Sequence, residues 1–184
     1  LTVNDLDLTD TIELSTAVAK SGTIAGIEFT DAQLASMFTV TTGDIDADSG
    51  DVNNIDWSFN AGTDAFDYLA DGESLTLTYT ITATDTFGAT TTQDVTVTIN
   101  GTNDGPDISV GTDDSDAATL TETEDALSTS GTLTVNDLDL SDTVVLSTAV
   151  AQSGITTGIG LTNQQLSDLF SVTTGNINAN DGDS

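Results

Sequence analysis

The stretch Leu1-Thr-Val-Asn-Asp-Leu-Asp-Leu-Thr-Asp10 returns almost letter for letter as Leu133-Thr-Val-Asn-Asp-Leu-Asp-Leu-Ser-Asp142. The match continues without a gap at an offset of about 132 residues, with roughly 32 of about 52 aligned positions identical, far above what a biased composition produces. Such a chain is an array of units, and each copy must be read as one unit of the array. Within the motif, Leu1 and Val3 alternate with polar residues, and Asn4, Asp5, Asp7 and Asp10 then supply a run of side-chain oxygens. This is a strand end that becomes an acidic loop.

Beyond the motif the hydropathy pattern is that of an all-β protein. Thr11-Ile-Glu-Leu-Ser15 and Thr23-Ile-Ala-Gly-Ile-Glu-Phe29 read as strands, the second interrupted by Gly26. Ser74 to Thr84 is the clearest strand: Leu75, Leu77, Tyr79, Ile81 and Ala83 fall on one face and Thr76, Thr78, Thr80 and Thr82 on the other. Alternation this strict predicts one buried and one wet face, as in an antiparallel sandwich. Asp85-Thr-Phe-Gly88 is the turn after it, and Asp94 to Asn100 returns with Val95, Val97 and Ile99 inward. One short helix interrupts the pattern. Thr30 with Gln33 three residues on is a capping box, and Leu34, Met37 and Phe38 share a helical face; Thr162, Gln165, Leu166, Leu169 and Phe170 repeat the arrangement in the second copy.

The segment Thr41 to Asp51 has two readings. Asp44, Asp46 and Asp48 followed by Gly50 resemble the start of an EF-hand calcium loop, but the glycine falls one place late and Ile55 stands where a bidentate Glu belongs. The preferred reading is a hairpin turn at Asp48-Ser-Gly50 leading into a strand through Ile55, Trp57 and Phe59. The second copy carries Asn176, Asn178 and Asn180 at the equivalent positions, which weakens any cation site there.

Gly101-Thr-Asn-Asp-Gly-Pro-Asp107 holds the one proline and follows a finished strand, so it is the joint between domains. The division is residues 1–104, a first repeat without its leading strand, and residues 105–184, a second repeat without counterparts of the strands through Trp57, Leu75 and Val95. A sandwich lacking its late strands exposes its core. Partial disorder of the second unit, or strands borrowed from another chain, are the two ways out.

Charge narrows the function. The chain has 31 acidic side chains against one basic residue, Lys20, and a formal net charge of −30. Self-repulsion on this scale destabilises a compact monomer unless cations neutralise it. Nucleic acid and anionic membrane surfaces are excluded as partners, because both are bound through Lys and Arg. With no His and no Cys, the usual zinc ligands and the usual nucleophile and base pairs are missing, and the expectation is that the chain is not an enzyme. No stretch approaches the roughly 18 apolar residues of a membrane span. With no initiator Met and no signal peptide, the sequence reads as an internal piece of a longer protein.

The ordered elements Glu124-Asp125, Gly131-Thr-Leu-Thr-Val-Asn-Asp-Leu-Asp139, Gly72-Glu-Ser-Leu-Thr76, Ala83-Thr-Asp85 and Gly101-Thr-Asn-Asp-Gly-Pro106 resemble the VCBS repeat of very large bacterial surface and RTX-type adhesins. More distantly they resemble cadherin domains. The resemblance covers essentially the whole chain. It implies tandem immunoglobulin-like (cadherin-like) β-sandwich domains, type I secretion to the cell surface, and end-to-end extender domains stiffened by calcium, with neighbouring repeats as partners. Under the cadherin pattern, Asp71-Gly-Glu73 is similar to the acidic D-x-E element, Asn103-Asp104 to the linker and Asp137-Leu-Asp139 to the D-x-D of the next domain. Asp85 is similar to the residue that completes a site with Asp5-Leu-Asp7. Gly105 departs from the pattern where cadherins usually carry another ligand, and the helical insert has no cadherin equivalent.

The implied calcium ligands are thus Asp5, Asp7, Asp10, Asp71, Glu73, Asp85, Asn103, Asp104, Glu124, Asp137, Asp139 and Asp142. Calcium takes six to eight oxygens from carboxylates, amides and backbone carbonyls, and these residue types supply them. Scattered acids such as Asp113, Asp114 and Asp116 read instead as a solvated surface. The function expected is a spacer that projects an adhesive tip from the cell. A glycan- or protein-binding module, and a filament subunit completed by strand exchange, are the alternatives. A binding module requires an exposed aromatic platform, whereas Trp57, Tyr68 and Tyr79 have core or turn positions in the pattern.

Overall fold

The computed structural model describes residues 1–7, 10–42, 54–63 and 66–173. Its elements are β1 (Glu13–Gly22), α1 (Asp31–Ser36), β2 (Phe38–Thr42), β3 (Ile55–Phe59), β4 (Ser74–Thr84), β5 (Thr90–Asn100), β6 (Asp107–Ser109), β7 (Thr134–Asn136) and α2 (Asn163–Ser167). All strand pairing is antiparallel. The chain is therefore mostly β, with two short helices among the described residues. It divides into two compact units, Leu1–Asn103 and Asp104–Ser184.

In unit 1, β4 is the centre of a three-stranded sheet ordered β1-β4-β5. The strict alternation of its sequence is reproduced in its burial: Leu75, Leu77 and Tyr79 are fully buried and Ile81 and Ala83 nearly so, while the intervening threonines are partly exposed. An uncharged strand can be central because it puts no ionised group among its neighbours. β1 pairs with it from Glu13 opposite Thr84 to Gly22 opposite Leu75. β5 pairs from Ser74 opposite Asn100 to Thr84 opposite Thr90. The turn between β4 and β5 closes as its sequence predicts, with Gly88 at φ 90° and the Asp85 carboxylate accepting the backbone N–H groups of Phe87 and Ala89, both at 2.8 Å.

The core forms on the inner face of this sheet. Tyr79 stacks on Phe38 with ring centroids 4.2 Å apart and planes 8° apart, and its hydroxyl donates to the Leu34 carbonyl oxygen at 2.8 Å. Leu34 comes from α1, which begins at the predicted capping box: the Gln33 N–H donates to Thr30 Oγ1 and the Thr30 N–H donates back to Gln33 Oε1. The helix stops at Ser36. Phe38, expected on its apolar face, instead opens β2 and pairs with Phe59 of β3. Tyr68, Leu69 and Val95 complete the cluster, with Val18, Ile27, Phe29 and Val40 against its edge. Gly101 is needed where β5 leaves the sheet, because a Cβ there would overlap the carbonyl oxygens of Leu69 and Ala70.

Two further expectations in unit 1 are corrected. The strand predicted at Thr11–Ser15 begins at Glu13 and runs on through Gly22. Thr23–Phe29 is not a strand: Gly26 takes φ 84° in a turn and Ile27 N–H reaches back to the Ile24 carbonyl oxygen at 3.4 Å. The acidic segment holding Asp44, Asp46, Asp48 and Gly50 lies outside the described residues, as do Asn176, Asn178 and Asn180. The antiparallel register of β2 with β3, from Phe38 opposite Phe59 to Thr42 opposite Ile55, flanks the first of these segments. Trp57 is 44% exposed although it stacks on Phe38, with centroids 5.6 Å apart.

In unit 2, β6 and β7 pair over three residues, with Ile108 opposite Val135, and Val135 is buried. Asp114 staples the preceding loop to β7 by accepting from Gly111 N–H and from the hydroxyls of Thr132 and Thr134, each at 2.8 Å. These bonds hold its carboxyl below the ordinary carboxylate range, the Gly111 amide foremost. Asp114 is therefore a structural acceptor and not only a solvated charge. The capping box of α2 forms as in α1, with Thr162 N–H on Gln165 Oε1 at 2.9 Å. Its apolar face, however, is only partly covered: Leu166 is half-buried, while Leu169 is 76% and Phe170 66% exposed.

Candidate metal centres

The described residues of both copies of the repeated motif make the same pair of hydrogen bonds. In the first, the Asp5 carboxylate accepts the Asp7 N–H at 2.9 Å and the Asp7 carbonyl oxygen accepts the Asp10 N–H at 3.1 Å. In the second, the Asp137 carboxylate accepts the Asp139 N–H and the Asp139 carbonyl oxygen accepts the Asp142 N–H, both at 3.1 Å. A short acidic side chain that bonds the backbone two residues on makes its own turn, which explains why Asp-Leu-Asp is sufficient to set this shape. The residues before the loop are anchored in each unit, though differently, and in unit 1 they do not form the strand end that the alternation predicts. Val3 is held by buried Asn54, whose side chain bonds both its N–H at 2.9 Å and its carbonyl oxygen at 2.7 Å, whereas Val135 lies in β7.

In unit 1 the loop meets the end of β4. The Thr11 N–H donates to Thr86 Oγ1 at 2.9 Å and the two hydroxyls lie 3.1 Å apart, which ties the residue after Asp10 to the residue after Asp85. As a result Asp5, Asp10 and Asp85 each place a carboxylate oxygen within 4.8 Å of the other two. The oxygens of Asp10 are shielded from solvent. Two ligands on opposite sides of a calcium ion, each at roughly 2.4 Å, stand about 4.8 Å apart, so the trio is compact enough to share one ion. Three carboxylates this close repel strongly without a cation. Asp7 is exposed, and its carboxylate does not belong to the trio.

In unit 2 the same loop is more deeply enclosed. Asp139 is fully buried and Asp137 is 4% exposed. Asp139 Oδ2 accepts the Asp104 N–H at 2.7 Å, but its Oδ1, like Asn136 Oδ1 at the end of β7, is buried with no hydrogen-bond partner. Leaving a buried acceptor unsatisfied costs roughly 1–3 kcal/mol, and more for a charged one. Burial pushes the Asp139 carboxyl above the usual carboxylate range, and the negative charges of Asp142, Asp104 and Asp137 add to this against the Asp104 amide. The group's contribution to folding is then most favourable below the ordinary carboxylate pKa and is lost as pH rises through the raised value. Asp139→Asn is expected to raise the melting temperature in EDTA at pH 7 by a few degrees, on the order of the shift that ~1 kcal/mol produces. In calcium the same change should lower it, because a ligand charge is gone. Melting both proteins in both buffers checks the reversal.

The other residues implicated by sequence are placed as follows. Glu73 serves its own turn, its carboxylate accepting the Ala70 N–H at 3.2 Å and its carbonyl oxygen the Gly101 N–H at 3.0 Å. Asp71 and Asn103 are exposed in unit 1, and Asp142 and Glu124 are exposed in unit 2, the last on a bend where Thr123 Oγ1 accepts the Asp125 N–H. Sequence reasoning did not single out Asn54, Asn136 or the Thr11–Thr86 tether. The identity of Asn4 and Asn136 across the repeat was the one available signal for Asn136; the others depend on contacts distant in sequence. Among the described residues no helix is long and apolar enough to cross a membrane. No family model, curated protein or solved structure matches the chain.

Proposed function

We propose that this chain is a calcium-stabilised spacer of tandem, VCBS-like repeats, each an immunoglobulin-like β-sandwich, in a long bacterial surface adhesin exported by a type I system. The observation that carries the reading is Asp139: a fully buried carboxylate with an oxygen that accepts no hydrogen bond, in a loop whose twin brings Asp5 together with Asp10 and Asp85. A cation would give the Asp5, Asp10 and Asp85 oxygens one shared ligand and give Asp139 Oδ1 in the second loop a partner. Calcium fits better than magnesium, since carboxylates on loops form a flexible, oxygen-only shell. The role is structural: the ion holds the acidic loop against the end of β4, and a repeat locked at that point resists being pulled apart.

Single-molecule stretching of the chain, tethered at its two ends, tests the mechanical role. The force that unfolds unit 1 should be higher in millimolar calcium than in EGTA. Equal forces in the two buffers would contradict a load-bearing calcium site.

A further inference from the structure

The end of β5 carries a chemistry that neither the acidic loops nor the core uses. Asn100, the last residue of the strand, is followed by Gly101 and Thr102, so the chain leaves the sheet on an Asn-x-Thr triplet, the pattern at which a sugar is joined to an asparagine amide. The chain has 11 asparagines, and although Thr and Ser are abundant in it, none of the other ten has a Ser or Thr two residues on. An enzyme that reads the triplet would therefore act at one position only.

Both side chains that define the triplet are accessible. Asn100 and Thr102 are exposed, and among the described residues neither side chain makes a hydrogen bond. Asn100 continues the outward rows of β5, in which Val95, Val97 and Ile99 turn inward, and its backbone is fixed opposite Ser74. Gly101 is pinned in turn, its N–H donating to the Glu73 carbonyl oxygen at 3.0 Å. A free amide is thus presented from a fixed point of the backbone. Beside it opens a cavity of about 230 Å³, lined by Ala61, Gly62, Phe66, Leu69 and Ile99 together with the triplet itself. The first ring of a glycan on Asn100 has room there, next to half-buried Phe66.

We propose that Asn100 is the acceptor of an N-linked glycan, taken from a sugar activated as a diphosphate ester. The amide nitrogen of Asn100 bonds to the anomeric carbon of the sugar, the bond from that carbon to the diphosphate oxygen breaks, the diphosphate departs and the amide gives up a proton. Thr102 is the recognition residue, since its hydroxyl completes the triplet. The transfer is catalysed by a separate transferase, and this chain supplies the acceptor. The site stands apart from the calcium reading, because Asn100 and Thr102 belong to neither acidic loop.

The test is mass spectrometry of the chain isolated from the cells that produce it. Cleavage before aspartate releases the fragment Asp94–Asn103, which contains the whole triplet. Tandem spectra are expected to place added sugar mass on Asn100. A single hexose would identify a nucleotide-activated donor, and a longer oligosaccharide a lipid-linked one. Asn100→Gln and Thr102→Ala should each abolish the increment, whereas Thr102→Ser should retain it; both positions are exposed, so the fold is unaffected. An unmodified fragment, one that shows only the small mass gain of deamidation at Asn100-Gly101, or sugar that persists in Thr102→Ala would overturn the proposal.

Discussion

In millimolar calcium the chain is expected to melt about 10–20 °C higher than in EDTA. A ligand that binds only the folded state at 100 times its dissociation constant stabilises by ~2.7 kcal/mol, and ~1 kcal/mol moves the melting temperature of a domain of this size by roughly 4–8 °C. The physical origin is the pairing of an ion with carboxylates that otherwise face one another, Asp5, Asp10 and Asp85 in one unit and the Asp139 loop in the other. A net charge of −30 also makes any salt stabilising through screening, so sodium chloride at matched ionic strength is the control. Site binding predicts that calcium far exceeds sodium; equal shifts would assign the whole effect to screening.

Tyr79→Ala should unfold unit 1 or leave it barely folded. Replacing a fully buried aromatic residue costs roughly 3–5 kcal/mol, a large part of the 5–15 kcal/mol by which a typical domain is stable. Here the loss also removes the stacking on Phe38 and leaves the Leu34 carbonyl without the hydroxyl it accepts from. Tyr79→Phe isolates that last contribution and should cost only about 1–2 kcal/mol. Urea midpoints for the two variants give the comparison. A Tyr79→Ala protein as stable as the parent would mean that β4 is not the strand on which unit 1 is built.

What the sequence made legible was local or strictly periodic. The capping boxes at Thr30 and Thr162 needed only their own few residues, so both helices formed, even where α2 has little to pack against. Ser74 to Thr84 was legible because the pleat converts a two-residue period directly into an inner and an outer face. β1 shows the limit: the copy of its sequence at residues 145–154 is not a strand, because a strand depends on a partner distant in sequence, as β1 depends on β4 along its whole length, and no described strand of unit 2 pairs with that segment. Thr23–Phe29 failed as a strand because Gly26 turns the chain, which alternation alone does not register. The candidate metal centre was legible in the same partial way. The Asp-Leu-Asp loop follows from side chains bonding their own backbone, whereas the approach of Asp85 to Asp5 and Asp10 rests on the Thr11–Thr86 contact, a pairing no local pattern encodes.

The most direct measurement is a calorimetric calcium titration of the chain, beside Asp85→Asn and Asp139→Asn variants. The account predicts saturable binding by the parent, with each variant losing or greatly weakening a different component, because Asp85 belongs to the unit 1 trio and Asp139 to the unit 2 loop. Non-saturable heats that both variants leave unchanged would contradict it, and the acidic loops would then be surface charge alone.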